Sequence, residues 1–543
     1  MDKNIFIYWH QGFEKAHPII RRCLMSWKIH NPTWKIYELS IDNINDYINI
    51  GEDIPDFRNK TKTVASVSDV IRIFLLEKYG GCWVDATSYC NYSLDSWLPN
   101  YISTDFFAFQ VKEDRMLSSW FLYGKKGGYI IKKWKEHIVE YINKVDKIGL
   151  EYNEITLKSW QFNKYQSQHY FWFHYIFGDL YINDPYFRVL WNKTKKLPAQ
   201  VAHCLQSVEF GLEMNNHLKK YIDSQKIPVF KLTHKCDPLQ LDSGSILDYL
   251  FNRNFTIASY KVSTNNLGDH IQIIANLNLL QKYGMKPTLY IDRDNEIKTL
   301  QTFKEKSDKP ILLVLNGWHK TNPVEWPPSE HIVPIFLGFH IRLHQSPTLL
   351  SEEAIEYYKK HEPIGCRDPH TEILLREKGV SSFESGCLSL TLKNNFRSGG
   401  ENIYVSSRNR NILKIIPNNI NYKYINHYSD TYNFDINMKR AQELLEKYQS
   451  AKLVVTTFLH CALPCIAMGV PVIVFYPESF HDINQSDKER FSSLSQLLRI
   501  YKFSEIDQVN WNPLSVNVDN LKEDIKKKYE KSLLKTLIHL ERK

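Results

Sequence analysis

The sequence predicts an α/β protein built as two domains, and three observations carry this prediction. Continuous apolar runs of strand length recur at 310–315, 452–455 and 470–475, separated by segments of helix length, which is typical of buried parallel strands. The chain has 543 residues, enough for roughly two to four folding units. Residues 237–245 turn polar and small. We therefore predict one domain at 1–245 and a second at 250–543.

The composition is that of an ordinary globular protein. Hydrophobic residues make up 43% and charged residues 24% of the chain, so large cores can form. The net charge of +9 is spread along the sequence, and no basic cluster is interleaved with aromatic residues as nucleic-acid binding requires. A nucleic-acid or structural surface protein is therefore the least favoured class. An anionic small substrate and a solvated surface each account for the charge.

The cysteines and the start of the chain predict a cytoplasmic protein. Nine cysteines are present and none forms a Cys-x-x-Cys pair, which favours reduced thiols over a disulfide framework. The first residues lead into a strand-like run without the layout of a signal peptide. No apolar stretch approaches the roughly 20 residues that a membrane span needs.

The most informative N-terminal segment is 65–87. Its apolar residues recur at helical spacing, with Ser66 or Ser68 as the predicted cap, and Gly80-Gly81 predicts the end of the helix. A short apolar run at 82–84 then predicts a buried strand.

Asp85 follows that strand, at the carboxyl end where ligands bind in α/β sheets. Transfer of a sugar from a nucleotide donor releases a diphosphate, and a divalent cation held by a carboxylate neutralises its charge. Asp85 is placed for that role. Asp69 and Arg72 share one helix face and are candidates to hold the donor. Spacing alone leaves a turn or cap aspartate and a surface ion pair as open alternatives.

Several motifs lie within residues 1–240. They are Tyr8-Trp9-His10-Gln11, Ser26-Trp27 before Asn31-Pro32, Ser68-Asp69-x-x-Arg72 with Gly80-Gly81-x-Trp83-x-Asp85-Ala86-Thr87, Phe171-Trp172-Phe173-His174, and Lys231-Leu232-Thr233-His234-Lys235. Together they resemble the capsular polysaccharide synthesis glycosyltransferases, relatives of the family with a DxD sugar-binding region. The resemblance implies a GT-A-like fold, a nucleotide-sugar donor and a metal cofactor, manganese or magnesium.

One position departs from the DxD pattern. Thr87 stands where the wider family has a second acid, so Asp85 is the single carboxylate of the motif. The resemblance implies that a late histidine helps to hold the metal, and His234 is the candidate, with a structural histidine as the open alternative. Neighbouring Lys231 and Lys235 are candidates to bind the donor phosphates.

The C-terminal part predicts two lobes and a final helix. Strand and helix patterns alternate from the strand at 256–260 onward, and Ser398-Gly399-Gly400 is typical of a linker. We expect lobes at about 256–398 and 401–500, then a basic amphipathic helix at 519–543. That helix either packs over the lobes or contacts an anionic membrane surface, where lipid-linked acceptors reside.

A second set of motifs belongs to this part. They are Asn266-Leu267-Gly268-Asp269, Asn316-Gly317-Trp318, Ile364-Gly365-Cys366-Arg367-Asp368-x-x-Thr371, the run from Ser385 to Leu392, the run from Thr456 to Cys465, and Gly469-x-Pro471-Val472. Asn266, Gly268 and Asp269 form a strand-to-helix loop that can contact an anion through backbone amides. Over about 256–480 the motifs resemble the polysaccharide pyruvyltransferase family. The resemblance implies a GT-B-like pair of Rossmann-type lobes and transfer of pyruvate from phosphoenolpyruvate onto sugar hydroxyls.

Two residues of this set suit the implied chemistry. Arg367 suits binding of the donor's anionic groups, and His460 suits proton transfer or phosphate contact. An ion pair at a helix start and a satisfied core histidine are the open alternatives. The family usually reads Arg-x-His where this chain has Phe458-Leu459-His460. The missing cation has three candidate replacements, Arg408, Arg410 and Lys414.

These features predict a bifunctional enzyme of glycan assembly. It would transfer a sugar from a nucleotide sugar, and a pyruvyl group from phosphoenolpyruvate, onto a polysaccharide or oligosaccharide acceptor. The alternative is a glycosyltransferase whose C-terminal domain only binds the acceptor glycan or serves as a scaffold. Phe458 favours the alternative, whereas Arg367 and His460 favour two activities.

Overall fold

A computed structural model describes residues 1–542 except 62, 112–114, 149–169, 207–213, 225, 236–243, 299–307, 320–325, 396–399 and 478–484. The chain divides into two compact units, Met1–Phe251 and Asn252–Lys543. The predicted linker residues Ser398 and Gly399, and most of the predicted boundary at 237–245, lie outside the described residues.

The first unit is built on a mixed sheet. Its strands are β1 (Asn4–Tyr8), β2 (Lys35–Leu39), β3 (Gly81–Asp85), β4 (Ser88–Cys90), β5 (Phe106–Gln110), β6 (Leu117–Gly124) and β7 (Val229–Lys231). Five of them form one sheet in the order β2-β1-β3-β6-β5. β1 pairs in parallel with β2 and β3, whereas β6 is antiparallel to β3 and β5. A separate antiparallel ladder joins β4 to β7.

Helices cover the sheet of the first unit. They are α1 (Pro18–His30), α2 (Ile50–Asp53), α3 (Phe57–Lys60), α4 (Val64–Tyr79), α5 (Leu94–Trp97), α6 (Tyr129–Lys144), α7 (Trp172–Asn183), α8 (Pro185–Lys193), α9 (Ala199–Ala202), α10 (Asn216–Asp223) and α11 (Ile246–Asn252), with 3-10 turns at Phe13–Lys15, Ile44–Asp46 and Leu98–Asn100. Alternation along β3 sends Trp83 into the core on one face, and Cys82 and Val84 into the core on the other.

The α4–β3 connection delivers Asp85 to the sheet edge. The predicted caps Ser66 and Ser68 are wrong, because α4 begins earlier: the side chain of Thr63 accepts from the amide of Ser66 at 3.1 Å. Gly80 and Gly81 end the helix with φ of 67° and 115°, where only glycine is unstrained. A Cβ on Gly81 would also lie 2.4 Å from the carbonyl oxygen of Asn4, so glycine lets β3 pair closely with β1.

The second unit contains two parallel sheets, as the apolar runs predicted. Its strands are β8 (Thr256–Lys261), β9 (Leu289–Asp292), β10 (Ile311–Trp318), β11 (Ile332–His340), β12 (Ile364–Cys366), β13 (Ser382–Glu384), β14 (Asn402–Ser406), β15 (Tyr422–Tyr424), β16 (Ala451–Thr456), β17 (Val472–Phe475) and β18 (Ile500–Tyr501). The first lobe holds the sheet β13-β12-β11-β10-β8-β9, and the second lobe holds β15-β14-β16-β17-β18. Every pairing is parallel.

Helices follow most strands of this unit. They are α12 (Leu267–Lys282), α13 (Ser346–Leu349), α14 (Glu352–His361), α15 (Pro369–Glu377), α16 (Ile412–Ile415), α17 (Phe434–Gln449), α18 (Leu459–Ala467), α19 (Gln485–Arg490), α20 (Ser492–Ser495) and α21 (Asp519–Arg542), with 3-10 turns at Leu343–Gln345, Leu388–Thr391 and Phe503–Gln508. The mixed α/β architecture with parallel sheets is therefore confirmed.

The C-terminal helix α21 packs onto this unit. Its apolar stripe is fully buried and consists of Ile525, Tyr529, Leu533, Leu537 and Leu540. The hydroxyl of Tyr529 donates to Oδ1 of Asn276 at 3.0 Å. Because the stripe is covered by protein, it is not a free membrane-binding face. In the part of the chain that the structure describes, no helix combines the length and the apolar character of a membrane span.

Candidate active sites

The first candidate site lies where β3 ends. Tyr8 on β1 pairs with Asp85 on β3, so Asp85 stands at the shared carboxyl edge of two parallel strands. The β4–β7 ladder sets Lys231 opposite Ser88, just past the same strand end. A lysine 146 positions away in sequence thereby reaches Asp85.

Asp85 is held between two cations. Its Oδ2 accepts from Nζ of Lys231 at 3.0 Å, and the same ammonium donates to Oγ1 of Thr87 at 2.6 Å. Its Oδ1 accepts from Nε1 of Trp83 at 3.1 Å and lies 3.5 Å from Nη2 of Arg72. Both carboxylate oxygens therefore face donors. Thr87, at the position of the missing acid, binds the lysine.

Arg72 links the two acids of the site. Its Nη1 lies 2.8 Å from Oδ1 of Asp69, the neighbour on the same helix face. Its guanidinium lies over the rings of Trp83 and Phe173, at 5.1 and 5.4 Å from the centroids. Arg72 is only 4% exposed, so this is not a solvated surface ion pair. The rings fix the cation beside Asp85.

Burial and the cations move the pKa values of the two acids in opposite directions. Burial alone would raise the pKa of Asp85, but Lys231 and Arg72 outweigh it and lower the pKa to about 2. At Asp69 burial exceeds the effect of Arg72, and the pKa rises to about 7. At neutral pH the site therefore holds one ionised carboxylate and one that is near its titration midpoint.

The predicted residues Lys235 and His234 lie on the surface rather than in this cluster. Both side chains are exposed. His234 packs edge-on against Trp9 with ring centroids 5.3 Å apart. Burial, followed by the charges of Lys235 and Lys231, lowers its pKa, which leaves the imidazole neutral. The structure brings together Asp69, Arg72, Asp85 and Lys231.

The described residues do not form a protein-held metal centre. Among them, no group of three or more His, Cys, Asp or Glu side chains could hold a metal ion. Asp85 already accepts from Lys231 and Trp83, whereas manganese and magnesium require about six ligands. The residues present therefore do not fit the ion by themselves, and the ligand pair Asp85 and His234 stays a prediction.

A buried histidine beside this site was missed in the sequence. His174 on α7 is 8% exposed, and its Nδ1 has no hydrogen-bond partner among the described residues. Burial, then Arg115 and Arg72, lower its pKa well below the usual range. Its motif was recognised, but its closeness to Arg72 arises from the packing of α7 and was not visible in the spacing.

The second candidate site lies in the second unit, where the loop after β8 meets the second lobe. Asn266 caps α12, and its Oδ1 accepts from the amide of Gly268 at 3.0 Å. A Cβ on Gly268 would lie 2.9 Å from Nε2 of His427 and 3.0 Å from Cβ of His460. Glycine therefore permits the close approach that joins this loop to two histidines.

Asp269, predicted as a donor-binding residue, has protein partners. Its Oδ1 accepts from Nε1 of Trp318 at 3.3 Å, and its Oδ2 lies 3.8 Å from Nη2 of Arg293. Asp269 is 2% exposed. Its charge is thus matched by a buried arginine, and its contacts order the carboxyl ends of β9 and β10.

Arg367 belongs to a buried cluster at the ends of β11 and β12. Its Nε donates to Oδ2 of Asp368 at 3.2 Å, and Nδ1 of His340 lies 2.7 Å from the same oxygen. Asp368 caps α15 by accepting from the amide of Thr371 at 3.0 Å. Burial opposes ionisation of Asp368, but His340, Arg367 and the Thr371 amide hold its pKa well below the usual range.

Arg367 keeps a free donor despite its ion pair with Asp368. It is 1% exposed, and its Nη2 is buried with no hydrogen-bond partner among the described residues. Nε2 of His340 is in the same condition. An unsatisfied buried donor is costly, so Nη2 of Arg367 is ready for an oxygen-rich ligand. Nε2 of neutral His340 is instead an acceptor, because Nδ1 carries the proton that faces Asp368. His340 was missed in the sequence, although a histidine that ends an apolar strand is a usable signal.

His460 lies beside Arg367 at the start of α18. Its Nε2 is 3.7 Å from Sγ of Cys387. Phe458, at the position of the family arginine, stacks on His427 with ring centroids 4.7 Å apart and an interplanar angle of 16°. An aromatic stack thus fills the place of that cation. The candidate replacements Arg408, Arg410 and Lys414 are all exposed, and Arg408 lies over the ring of Tyr428 at 5.7 Å.

The histidines of this site are neutral. Burial, then Arg367 and Arg490, lower the pKa of His460 well below the usual range. Burial and Arg367 lower the pKa of His340 to about 4, and burial and Arg490 lower that of His427 to about 3. A neutral imidazole must accept a proton before it can donate one. Any of these histidines that takes part in the reaction therefore acts first as a base and then as an acid.

We expect these histidines to make the second unit sensitive to acid. Histidines of the unfolded chain titrate near 6.5, so stability is retained above that pH and falls as pH drops through it towards the folded pKa. Between pH 7 and pH 5, His340 and His427 should each cost ~2 kcal/mol of unfolding free energy. Urea unfolding at both pH values measures this. In His427→Gln the loss should shrink by the ~2 kcal/mol that this histidine contributes, and equal stability of the wild type at both pH values would contradict the assignment.

Known protein families match the two units of the chain separately. Two family models match this chain, one in each unit. The model described as capsular polysaccharide synthesis protein matches residues 1–152 and 149–250. The model described as polysaccharide pyruvyl transferase matches residues 266–479. The resemblances to these two families are confirmed, whereas the relation to the DxD family stays a prediction. The first unit is similar to capsular polysaccharide synthesis proteins and the second to polysaccharide pyruvyl transferases.

Curated relatives match a smaller part of the chain. O-glycosyltransferase braB of Annulohypoxylon truncatum is 24% identical over 207 residues, which cover 31% of this chain and 49% of that protein. Glycosyltransferase afumC of Aspergillus fumigatus (strain CBS 144.89 / FGSC A1163 / CEA10) is 27% identical over 152 residues, covering 25% and 39%. The chain thus spans half or less of the length of these relatives.

Solved structures resemble the chain only weakly. The apo-form glycosyltransferase GlyE of Streptococcus pneumoniae TIGR4 is 11% identical, covers 62% of this chain and 96% of its own, and has a TM-score of 0.27. A likeness of this size carries no argument about the arrangement of the sheets.

Proposed function

We propose that the chain is a bifunctional enzyme of glycan assembly. The first unit transfers a sugar from a nucleotide sugar, and the second transfers a pyruvyl group from phosphoenolpyruvate, to a polysaccharide or oligosaccharide acceptor. The observation that carries the proposal is that each matched unit holds its own cluster of buried charged side chains at the carboxyl ends of parallel strands. In this proposal the first unit is GT-A-like and the second is a GT-B-like pair of lobes.

Sugar transfer requires positive charge at the leaving group. The acceptor hydroxyl attacks the anomeric carbon, and the bond from that carbon to the phosphate oxygen breaks. The nucleoside diphosphate leaves with the electron pair, and the hydroxyl proton passes to solvent. Lys231 and Arg72 are the cations beside Asp85 that stabilise the negative charge of the leaving diphosphate. Asp85 holds both of them in place, and Asp69 anchors Arg72 from the other side.

Pyruvyl transfer requires one proton to move between two substrate atoms. Neutral His460 accepts the proton of the first acceptor hydroxyl as its oxygen bonds to C2 of phosphoenolpyruvate. The imidazolium then gives that proton to the methylene carbon. A second hydroxyl bonds to C2 and displaces phosphate, which leaves with the C2–oxygen electron pair and the hydroxyl proton. The free Nη2 of Arg367 binds an anionic group of the donor.

The alternative is a single sugar transfer, with the second unit binding the acceptor glycan or acting as a scaffold. The stack of Phe458 on His427 favours it, because the family cation is absent from that position. The unsatisfied Nη2 of Arg367 favours a bound anion instead. The proposal also includes a cytoplasmic location, at the inner face of the membrane where a lipid-linked acceptor is presented.

Manganese or magnesium remains part of the proposal through Asp85, with the donor diphosphate completing the ligand set. The ammonium of Lys231 competes directly with such an ion, because it already donates to Oδ2 of Asp85 at 3.0 Å. When bound, the ion would supply positive charge to the leaving diphosphate. No step assigned to the residues above depends on it.

Removal of divalent ions tests this part. If the ion is required, sugar transfer in excess EDTA should fall at least about 100-fold and return when manganese is added in excess. Initial rates of nucleotide diphosphate release measure it, with the unfolding temperature as the control for damage by the chelator. Undiminished transfer in EDTA would show that Lys231 and Arg72 suffice.

Product analysis tests the whole proposal. The purified chain is incubated with an oligosaccharide acceptor, a panel of nucleotide sugars and phosphoenolpyruvate, and the acceptor is examined by mass spectrometry. Addition of both a glycosyl residue and a pyruvyl ketal is the expected result. A glycosyl residue alone would support the alternative, and an unmodified acceptor with every donor would oppose both.

A further inference from the structure

The second site contains an arginine that sequence reasoning did not single out. Arg490 is the last residue of α19 and the first lobe tethers this helix: Oε2 of the preceding Glu489 lies 3.3 Å from Nε2 of His370. His370 is on the first turn of α15, directly after Arg367 and Asp368. The tether is itself buried, since the side chain of Glu489 is 10% exposed. It holds Arg490 next to the Arg367 cluster.

Arg490 has no carboxylate in direct contact among the described residues, although the charge of Asp269 is near enough to act on its pKa. Among the described residues it makes no hydrogen bond or ion pair, and its only aromatic contact there is with the adjacent ring of Phe491, at 5.9 Å. A half-buried guanidinium that no carboxylate contacts directly is unusual, because desolvating a charge without a direct partner is costly. Such a group is stabilised when an anionic ligand binds.

We propose that Arg490 is the second donor-binding cation of the pyruvyl transfer site, and that with Arg367 it binds the phosphate and carboxylate of phosphoenolpyruvate. It thereby replaces the family arginine lost at Phe458, from a different helix. This inference rests on the proposed function of the second unit.

The electrostatics agree with this position. Burial, then the charges of Arg342 and Arg367, lower the pKa of Arg490 to about 10. In turn its charge contributes to the lowered pKa values of His460 and His427. Neighbouring cations that repel one another create a field that favours a multiply charged anion.

The surroundings of Phe458 explain how the replacement is possible. Phe458 stacks on His427 and lies edge-on to Tyr428 with centroids 5.7 Å apart. Tyr428 in turn is among the groups that act on the charge of Arg490. Phe458 is therefore packed among aromatic side chains, and the positive charge is supplied by Arg490 on α19. By contrast, the exposed Arg408 lies over the ring of Tyr428.

Binding of phosphoenolpyruvate to the full-length chain tests the inference. Titration calorimetry should show that Arg490→Gln weakens binding at least about 10-fold, because a charge-assisted pair is lost, and that Arg490→Lys recovers part of it. In steady state Arg490→Gln should raise KM for phosphoenolpyruvate and leave KM for the acceptor unchanged. Arg499→Gln is the matched control, since Arg499 is exposed in the same lobe and pairs with Glu505.

The outcomes separate this inference from the proposed function. If the wild type binds phosphoenolpyruvate and Arg490→Gln binds it equally well, the role of Arg490 is overturned and the proposed function stands. If the folded wild type binds no phosphoenolpyruvate, the proposed function of the second unit fails, and this inference fails with it. An equal loss in Arg499→Gln would also overturn it, since a general change in surface charge would then account for the effect.

Discussion

Asp85→Asn is expected to lower sugar transfer at least about 100-fold while the chain stays folded. Asparagine has nearly the same shape, but it carries no charge to hold the ammonium of Lys231 at 3.0 Å and the guanidinium of Arg72 at 3.5 Å. Both cations would then lose the position in which they meet the leaving diphosphate. The measurement is the initial rate of nucleotide diphosphate release with saturating nucleotide sugar.

The matched control for this variant is Asp105→Asn in the same unit. The side chain of Asp105 is 56% exposed and, within the described part of the chain, forms a single ion pair, at 3.5 Å with Lys125, so its removal should leave the rate unchanged. Pyruvyl transfer should also persist in Asp85→Asn, since the residues proposed for it belong to the other unit. Release of nucleotide diphosphate at the wild-type rate by Asp85→Asn would remove Asp85 from the site.

His460→Ala is expected to lower pyruvyl transfer by about 10²- to 10⁴-fold, the usual contribution of a proton-transfer residue. His460 is 4% exposed, so alanine also leaves a cavity, and His460→Gln serves as a second variant of similar volume that cannot carry the proton. Both should show the loss in the rate of ketal formation at saturating phosphoenolpyruvate, with sugar transfer unchanged.

His331→Ala is the control histidine variant. His331 lies just before β11, at the opposite edge of the sheet from the site, and its backbone carbonyl accepts from the amide of Ile311 at 2.8 Å. Its side chain should be dispensable for ketal formation. If His460→Gln forms the ketal at the wild-type rate, proton transfer must be assigned to another group.

The buried strands were the most predictable part of the fold. The runs expected at 256–260 and 310–315 are β8 (Thr256–Lys261) and β10 (Ile311–Trp318), because strands buried on both faces are written as continuous apolar runs. The run at 470–475 starts later, at Val472, since Pro471 has no amide hydrogen to donate to the sheet.

The candidate sites were predictable where a motif is local. Asp69 and Arg72 are neighbours on one helix face, and Gly80-Gly81 places Asp85 at the end of its strand. The contact of Lys231 with Asp85 and Thr87 depends on the β4–β7 ladder, and spacing in sequence does not encode that pairing. For the same reason the resemblance named Lys231 but gave no partner for it.

The position of Arg490 in the second site could not be predicted from the sequence. It lies outside every motif, and its closeness to Arg367 depends on the contact between Glu489 and His370. The candidate replacements for the family arginine were Arg408, Arg410 and Lys414. All three point to the surface, because strand-to-helix loops are the exposed parts of an α/β lobe.

The central claim is that the second unit is a working pyruvyltransferase despite Phe458, and phosphate release from phosphoenolpyruvate tests it most directly. The full-length chain is mixed with phosphoenolpyruvate, nucleotide sugars, manganese and an oligosaccharide acceptor, and phosphate and nucleotide diphosphate are followed in the same tubes. Our account predicts phosphate release that requires the acceptor and is lost in His460→Gln. Nucleotide diphosphate release without any phosphate would contradict it, and would leave a glycosyltransferase with a repurposed binding domain.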